Sequence, residues 1–219
     1  MSGINLLSIG CGTGSHEIYL DGYGCNVTGI DISSPMIQIA KKKPFKHSVF
    51  NVSSIYNFSQ ANNQKFDVAI SLFNVVNCLS NMNSLVNFFE SAALALKSNG
   101  LLLFEAWNMI PCFLDPPEVV TRKFVDPEGA FDLERTAVPK LDSENQSLII
   151  DYSICGKHEG KKINLKSTHN LTIFSQIEIE HALKKVGFNN ISFGPSLADM
   201  NNEKSNFENF RMISVTANK

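Results

Sequence analysis

The chain has few cysteines, a single tryptophan and no charge bias. Its five cysteines, Cys11, Cys25, Cys78, Cys112 and Cys155, show no C-x-x-C spacing. An odd, scattered set argues against a disulfide frame or a zinc site and for reduced thiols in a cytoplasm. No long basic run occurs. Lys41-Lys42-Lys43 is the densest, and it falls at a predicted helix end, where cations favour the dipole. With a net charge of −2, the footprint of a nucleic-acid binder is missing. No apolar run reaches the ~20 residues of a membrane span, and no charged n-region opens a signal peptide. Internal repeats and low-complexity tracts are absent too. The expectation is a cytoplasmic protein with neither nucleic acid nor membrane as partner. At 219 residues and 43% hydrophobic content, it suits one domain with a full core and room for an insertion.

The most informative stretch is LLSIGCGTG, Leu6 to Gly14. An apolar run (Ile4, Leu6, Leu7, Ile9) reads as a buried strand. It ends in Gly10, Gly12 and Gly14. A second strand-like run, Val27 to Ile30, stops at Asp31. Strand, glycine loop, helix, strand, acid is how an α/β fold holds an adenosine nucleoside. Glycine tolerates positive φ and lets backbone approach a ligand. The acid after the second strand accepts from a ribose diol. A dinucleotide site wants G-x-G-x-x-G, but position 15 is Ser and the spacing is G-x-G-x-G. That opposes an NAD-dependent oxidoreductase.

The first half alternates strands and helices. Strands are expected at about 4–9, 26–30, 49–50, 66–72 and 101–104. Helices are expected at about 14–20, after the N-cap Ser33 with Pro35 in the first turn, and along Leu85, Phe88, Phe89, Ala92, Ala93 and Leu96, ended by Asn99-Gly100. Repeated βα units imply a parallel sheet with helices on both faces. Prolines 111, 116, 117, 127 and 139 then break the rhythm. Period-two patterning from about 119 to 174 reads as three or four inserted antiparallel strands. Ser175 to Glu178 form a capping box for a helix running to Lys185 and stopping at Gly187. Strands at about 189–193 and 210–216 close the sheet, with the Asn-rich stretch 201–209 as a hairpin loop. The expected division is an α/β core over 1–110, the insertion over 111–174, and a C-terminal helix and strands over 175–219.

These residues resemble motif I and its surroundings in the class I S-adenosylmethionine methyltransferases. The likeness reaches toward the nucleotide-linked amino-sugar N,N-dimethyltransferases. CGTGSH (Cys11 to His16) is similar to their motif I with its trailing His. VTGIDISSPMIQIAK matches the acidic second strand and the helix after it. KFDVAISLF (Lys65 to Phe73) resembles motif IV, and FEAW (Phe104 to Trp107) the E-P-W-W stretch. HNLTIFSQIEIEHALKKVGF (His169 to Phe188) resembles the entry into the last helix. The resemblance implies a Rossmann-like, mostly parallel seven-stranded sheet with an antiparallel β-subdomain over the acceptor pocket. It also implies S-adenosyl-L-methionine as cofactor, a small-molecule substrate and no metal.

On this reading Gly10, Cys11, Gly12, Gly14 and His16 line the cofactor, and Asp31 takes the ribose. Ile32 and Met36 flank the adenine or belong to the core; both readings stand. Asn51 and Val52 follow onto the adenine, and an Asn oxygen accepts from its amine. Leu72 faces the methionine part at the end of strand four, with Phe73 beside the acceptor. Trp107 borders the acceptor pocket or simply fills the core. Glu105 and His169 are the candidate catalytic groups, although His169 on an apolar face also reads as a satisfied core histidine. His16 likewise reads as a cap. Asp115-Pro116-Pro117 follows strand five and lacks the aromatic of base-modifying enzymes. Motif I begins close to Met1, so the chain is expected to bind cofactor weakly and turn over slowly by itself, with a homodimer or a partner chain supplying the lid; full activity of the bare chain would instead make the inserted strands or the Asn-rich loop the lid. The alternative from another class is a non-catalytic nucleoside-binding protein. Calorimetry on the purified chain should show S-adenosylhomocysteine binding far tighter than NAD. Equal or tighter NAD binding overturns the spacing argument.

Overall fold

The computed structural model describes residues 3–197 and 210–219. The α/β part begins β1 (Asn5–Ile9), α1 (Glu17–Gly22), β2 (Asn26–Asp31), α2 (Ser34–Ala40), β3 (Val49–Val52), α3 (Ile55–Ala61) and β4 (Phe66–Ser71). A 3-10 turn (Val75–Cys78) leads to α4 (Met82–Ala95), β5 (Leu96–Trp107) and α5 (Met109–Leu114). Four long strands follow: β6 (Val120–Val125), β7 (Phe131–Asp142), β8 (Ser147–His158) and β9 (Lys161–Thr172). α6 (Gln176–Lys185), β10 (Asn189–Pro195) and β11 (Met212–Asn218) complete the chain.

The main sheet has seven strands in the order β10-β11-β5-β4-β1-β2-β3. Neighbours from β3 to β5 pair in parallel, and β11 runs antiparallel to β5 and β10. Leu6, Leu7, Ser8 and Ile9 are all buried, the signature of a strand covered on both faces. Strand order reverses between β1 and β4. In an open α/β sheet the crevice beyond the strand ends at such a point is where ligands bind. β6 to β9 form the separate antiparallel sheet, in sequence order.

The largest core cluster joins one sheet face to α3, α4 and α6. Leu85, Phe88, Phe89, Ala92, Ala93 and Leu96 are all buried there, as their spacing predicts. The helix nonetheless stops at Ala95, earlier than Asn99-Gly100. Leu96 turns extended (φ −81°, ψ 149°) and pairs with Phe66 of β4. Asn99 does take the left-handed conformation (φ 63°), but inside β5, where Lys219 exchanges backbone bonds with Asn99 and Gly100. The turn signal was real; sheet pairing claimed the residues before it. α3, capped by Ser54, and α5 lie in segments too short for periodicity to reveal. The second cluster packs Trp107, Met109, Cys112 and Phe113 against Leu148, Ile150, Leu171 and Ile173, joining α5 to the antiparallel sheet. Ser33 sits at the N-cap of α2 but makes no side-chain cap bond. The Asn-rich stretch 201–209 lies outside the described residues. No described helix is long and apolar enough to cross a membrane.

α1 is held by a contact that the sequence pattern did not reveal. The buried Asp21 carboxylate accepts from the amides of Lys46 (2.8 Å) and His47 (2.8 Å) and from the Ser48 hydroxyl (2.6 Å). Burial alone would raise its carboxyl; the Ser48 hydroxyl and the two amides outweigh that and hold it below its ordinary value. A depressed carboxylate stabilises the fold above its unfolded pKa, and that contribution is lost as pH falls through the folded value. Asp21→Asn should therefore cost about 1–3 kcal/mol near neutrality. In urea unfolding, the gap between wild type and variant should narrow below about pH 4.

Candidate active site

β1 ends in a loop shaped by its glycines. Gly10, Gly12 and Gly14 have φ of 74°, 55° and 71°. The amides of Gly10 and Cys11 both donate to the Ile30 carbonyl of β2, at 2.8 and 3.1 Å. A Cβ on Gly10 would lie 2.5 Å from Val75 Cγ2. The loop is thereby drawn against β2 on one side and the 3-10 turn after β4 on the other.

Asp31 fixes the same loop from the end of β2. Its Oδ2 accepts from the Gly12 amide at 2.9 Å and its Oδ1 from the Ser33 amide at 2.8 Å. An ionised carboxylate has about four lone-pair sites, so two protein bonds leave capacity for a ligand. Around it stands an exposed apolar rim: Ile32 is 79% exposed, Met36 45%, Val52 52% and Phe73 65%. Ile32 and Met36 are thus rim residues, not core. Met36 Sδ lies 3.6 Å from where a Cβ on Gly12 would be. Asn51 is exposed within β3, in register with Ile30. Leu72 is half-buried and packs beside Leu6 and Ile70.

Cys11 contributes to the loop through its backbone. Its side chain packs with Ile37, Ala40 and Phe50. Burial, then the charges of Glu17 and Asp31, push its thiol up to about 12, so it is no nucleophile near neutrality. His16 is exposed at the start of α1 and makes no side-chain cap bond. Its ring instead sits 4.8 Å from that of Phe73, bridging the glycine loop and the end of β4.

Two consecutive non-glycine residues after β4, Phe73 (φ 56°) and Asn74 (φ 61°), are left-handed. Each such residue costs about 1–2 kcal/mol. Glu105 holds them: its Oε2 accepts from the Phe73 amide at 3.2 Å, and its Oε1 from the Leu197 amide at 3.1 Å. With both oxygens engaged and 5% exposure, Glu105 anchors backbone and does not stand free as a base. His169 lies opposite Ile150 on the face of β9 that carries the buried Leu171, as expected, but is itself exposed and so is no core histidine; its ring is 4.9 Å from that of Tyr152. Trp107 is half-buried against the second core cluster. Its Nε1 has no partner among the described residues, and neither has Asn74 Oδ1. Asn74 reaches Met212, which pairs with Trp107, so an unused donor and an unused acceptor belong to adjoining positions.

Several polar residues here carried no sequence signal. Asn77 is fully buried; it donates to the Thr172 carbonyl (2.7 Å) and accepts from the Trp107 amide (3.0 Å). It ties β9 to β5. Asn108 donates to the Phe210 carbonyl at 3.1 Å and accepts from Gln176 at 3.3 Å. Only the burial of asparagine, rare without partners, could have marked them. A separate cleft of about 760 Å3 opens between α5 and the start of α6, lined by Asn108, Ile110, Leu114, Ser175 and Ile177. It does not include the glycine loop.

The pattern of the methyltransferase domain family matches residues 1–193. The chain belongs to that family. It is an S-adenosylmethionine-dependent methyltransferase with the class I fold. The dTDP-3-amino-3,6-dideoxy-alpha-D-glucopyranose N,N-dimethyltransferase of Streptomyces fradiae is 24% identical over 192 residues, covering 87% of this chain and 72% of that protein. The chain is also similar in fold to a sugar N-methyltransferase from a Streptoalloteichus species. The TM-score is 0.80 at 17% identity, over 99% of this chain and 80% of that one. An S-adenosylmethionine-bound amino pentose methyltransferase from Micromonospora echinaspora gives 0.75 at 17% identity, over 99% and 84%. The oxidoreductase and non-catalytic alternatives find no support among these matches.

Gly10 is the position where the loop leaves least room. Gly10→Ala adds a left-handed alanine and drives its Cβ into a β-branched neighbour, Val75. Stability should fall by about 1–3 kcal/mol, read by urea unfolding, with cofactor affinity reduced in the same variant. An unchanged midpoint would show that the loop relaxes freely.

Proposed function

We propose that the acceptor is the amine of a small sugar-like molecule, such as a nucleotide-linked amino sugar. The observation that carries this reading is the engagement of Glu105. Its carboxylate, at the end of β5, is bonded through both oxygens to backbone amides. An alcohol acceptor needs a base to take its proton as it attacks; an amine needs only to arrive neutral. The Streptomyces fradiae relative, named as an amino-sugar N,N-dimethyltransferase, supports the same acceptor class.

The bound cofactor supplies a methyl group already activated on sulfonium, so the chain's task is to position and to exclude water. Asp31 offers its remaining lone pairs to the ribose diol. Ile32, Met36 and Val52 flank the adenine, and the Asn51 oxygen accepts from its amine. The backbone of Gly10 to Gly14 and of Leu72 runs along the amino-acid end, with His16 stacked on Phe73 at the margin. Glu105 acts as a positioning residue, holding Phe73 and Asn74 in the left-handed conformation. The unused Trp107 N–H and Asn74 oxygen are suited to a sugar hydroxyl, which both donates and accepts. Residues 111–174 form the wall over the acceptor.

The test is methyl transfer by the purified chain to a dTDP-linked 3-amino sugar, set against the matching 3-hydroxy sugar and a quinol. The amine should be methylated, with a rate that falls as pH drops through the acceptor amine's pKa. Preferred transfer to either oxygen acceptor overturns the reading.

A further inference from the structure

The strands β6 to β9 sort their charges by face. In the register of the sheet, Asp132, Glu134, Asp142 and Asp151 all stand on one face, together with Lys123 and Lys140. There the cations have partners. Lys123 reaches Glu134 at 4.0 Å, and Lys140 reaches Asp151 at 3.0 Å. The other face packs Leu148, Ile150 and Leu171 with α5 and Trp107. Further along the strands it carries Arg122, Arg135 and His169, and none of its paired positions is a carboxylate.

Arg122 of β6 and Arg135 of β7 are direct register partners. Like charges directly opposite one another on neighbouring strands are destabilising. Neither guanidinium makes an ion pair or a hydrogen bond among the described residues. Arg135 is nonetheless held in place. Its guanidinium carbon lies 5.8 Å from the centre of the Phe124 ring and 5.6 Å from that of Tyr152. With Tyr152 beside His169, one row of side chains crosses all four strands. Stacking occupies the faces of a guanidinium and leaves its in-plane N–H groups as donors. Nε is buried without a partner, while the residue is half-buried and its terminal nitrogens reach the surface. Arg122 is exposed beside it.

An anion shared by the two arginines relieves both the repulsion and the unpaired donor. A phosphate ester carries up to about two charges and three acceptor oxygens, enough for two guanidinium forks. A carboxylate is matched by a single fork. We propose that Arg122 and Arg135 form a phosphate-binding site on the inserted sheet, and that the phosphate is one carried by the acceptor. The assignment rests on the reading of a nucleotide-linked acceptor under the wall of residues 111–174. Ile154, the register partner of Arg135, lies four residues beyond the buried Ile150 on β8, roughly 13 Å along the strand. The pair therefore stands outward of the contact with Trp107. It contributes affinity and specificity for the acceptor, so its loss raises KM and leaves kcat in place.

The experiment is calorimetric titration of the intact chain, of Arg122→Gln and of Arg135→Gln with dTDP, thymidine and inorganic phosphate. The wild type should bind dTDP tighter than thymidine by about tenfold or more. Each variant should lose about tenfold in dTDP affinity, with thymidine and S-adenosylhomocysteine bound as before. Arg122→Gln should also keep or raise the urea midpoint of the ligand-free chain, because it removes a like-charge contact. A wild type that binds dTDP no tighter than thymidine overturns the site, even if the variants fail to fold. Folded variants that keep the wild-type dTDP affinity overturn it too. Equal weakening of every ligand with a lowered midpoint marks a structural role and also overturns it. Inorganic phosphate bound as tightly as dTDP overturns the assignment to the acceptor. Arginine-dependent dTDP binding without methylation of a dTDP-linked 3-amino sugar upholds the phosphate site and overturns the amine reading alone.

Discussion

The Asp31 carboxylate is the constraint on which the site depends. One oxygen receives the Gly12 amide and the other the Ser33 amide, so a single side chain joins the loop after β1 to the entry of α2. Charge-assisted bonds of this kind are shorter and about twice as strong as neutral ones. They offset the conformational entropy lost in ordering a loop with three glycines. Exposed apolar side chains, Ile32, Met36 and Val52, stand on the segments beside Asp31. On the proposed reading, the carboxylate that shapes the loop is also the one that meets the ribose.

The far side of the site follows a different rule. Phe73 and Asn74 are strained, and strain of this kind persists where its surroundings over-determine it. Glu105 supplies that support from β5, and Asn77 fastens the same turn to β9. The antiparallel sheet is thereby coupled to the ends of β4 and β5 through asparagine and tryptophan, not through a broad apolar seam alone. On the proposed reading, a carboxylate engaged with backbone fits an acceptor that attacks as a neutral amine and needs no base for that step.

Much of the fold was legible because its signals are local. Apolar runs marked the parallel strands, the i, i+3, i+4 spacing marked α4, and S-Q-I-E marked a capping box that forms with both bonds. Gly10, Gly12, Gly14 and Asp31 were legible because positive φ and a strand-end acid leave residue-type traces. The end of α4 was misplaced because Leu96 serves two patterns, the helix stripe and the start of β5, and pairing with Phe66 decides between them. His169 shares the face of β9 that carries the buried Leu171, as alternation predicts, but is itself exposed, because alternation fixes which residues share a face and not how deeply each is covered.

The sequence by itself determined the α/β class, the glycine loop, the strand-end acid and the inserted antiparallel strands. Each follows from backbone conformation and short-range periodicity, which residue types encode directly. Only the tertiary structure decided that Ile32 and Met36 stand exposed, that Glu105 is spent on backbone amides, and that Arg122 and Arg135 meet on a face of the sheet without carboxylates. Those facts depend on which groups from distant segments meet. Burial and hydrogen-bond satisfaction are properties of the packed chain, and no spacing along the sequence carries them.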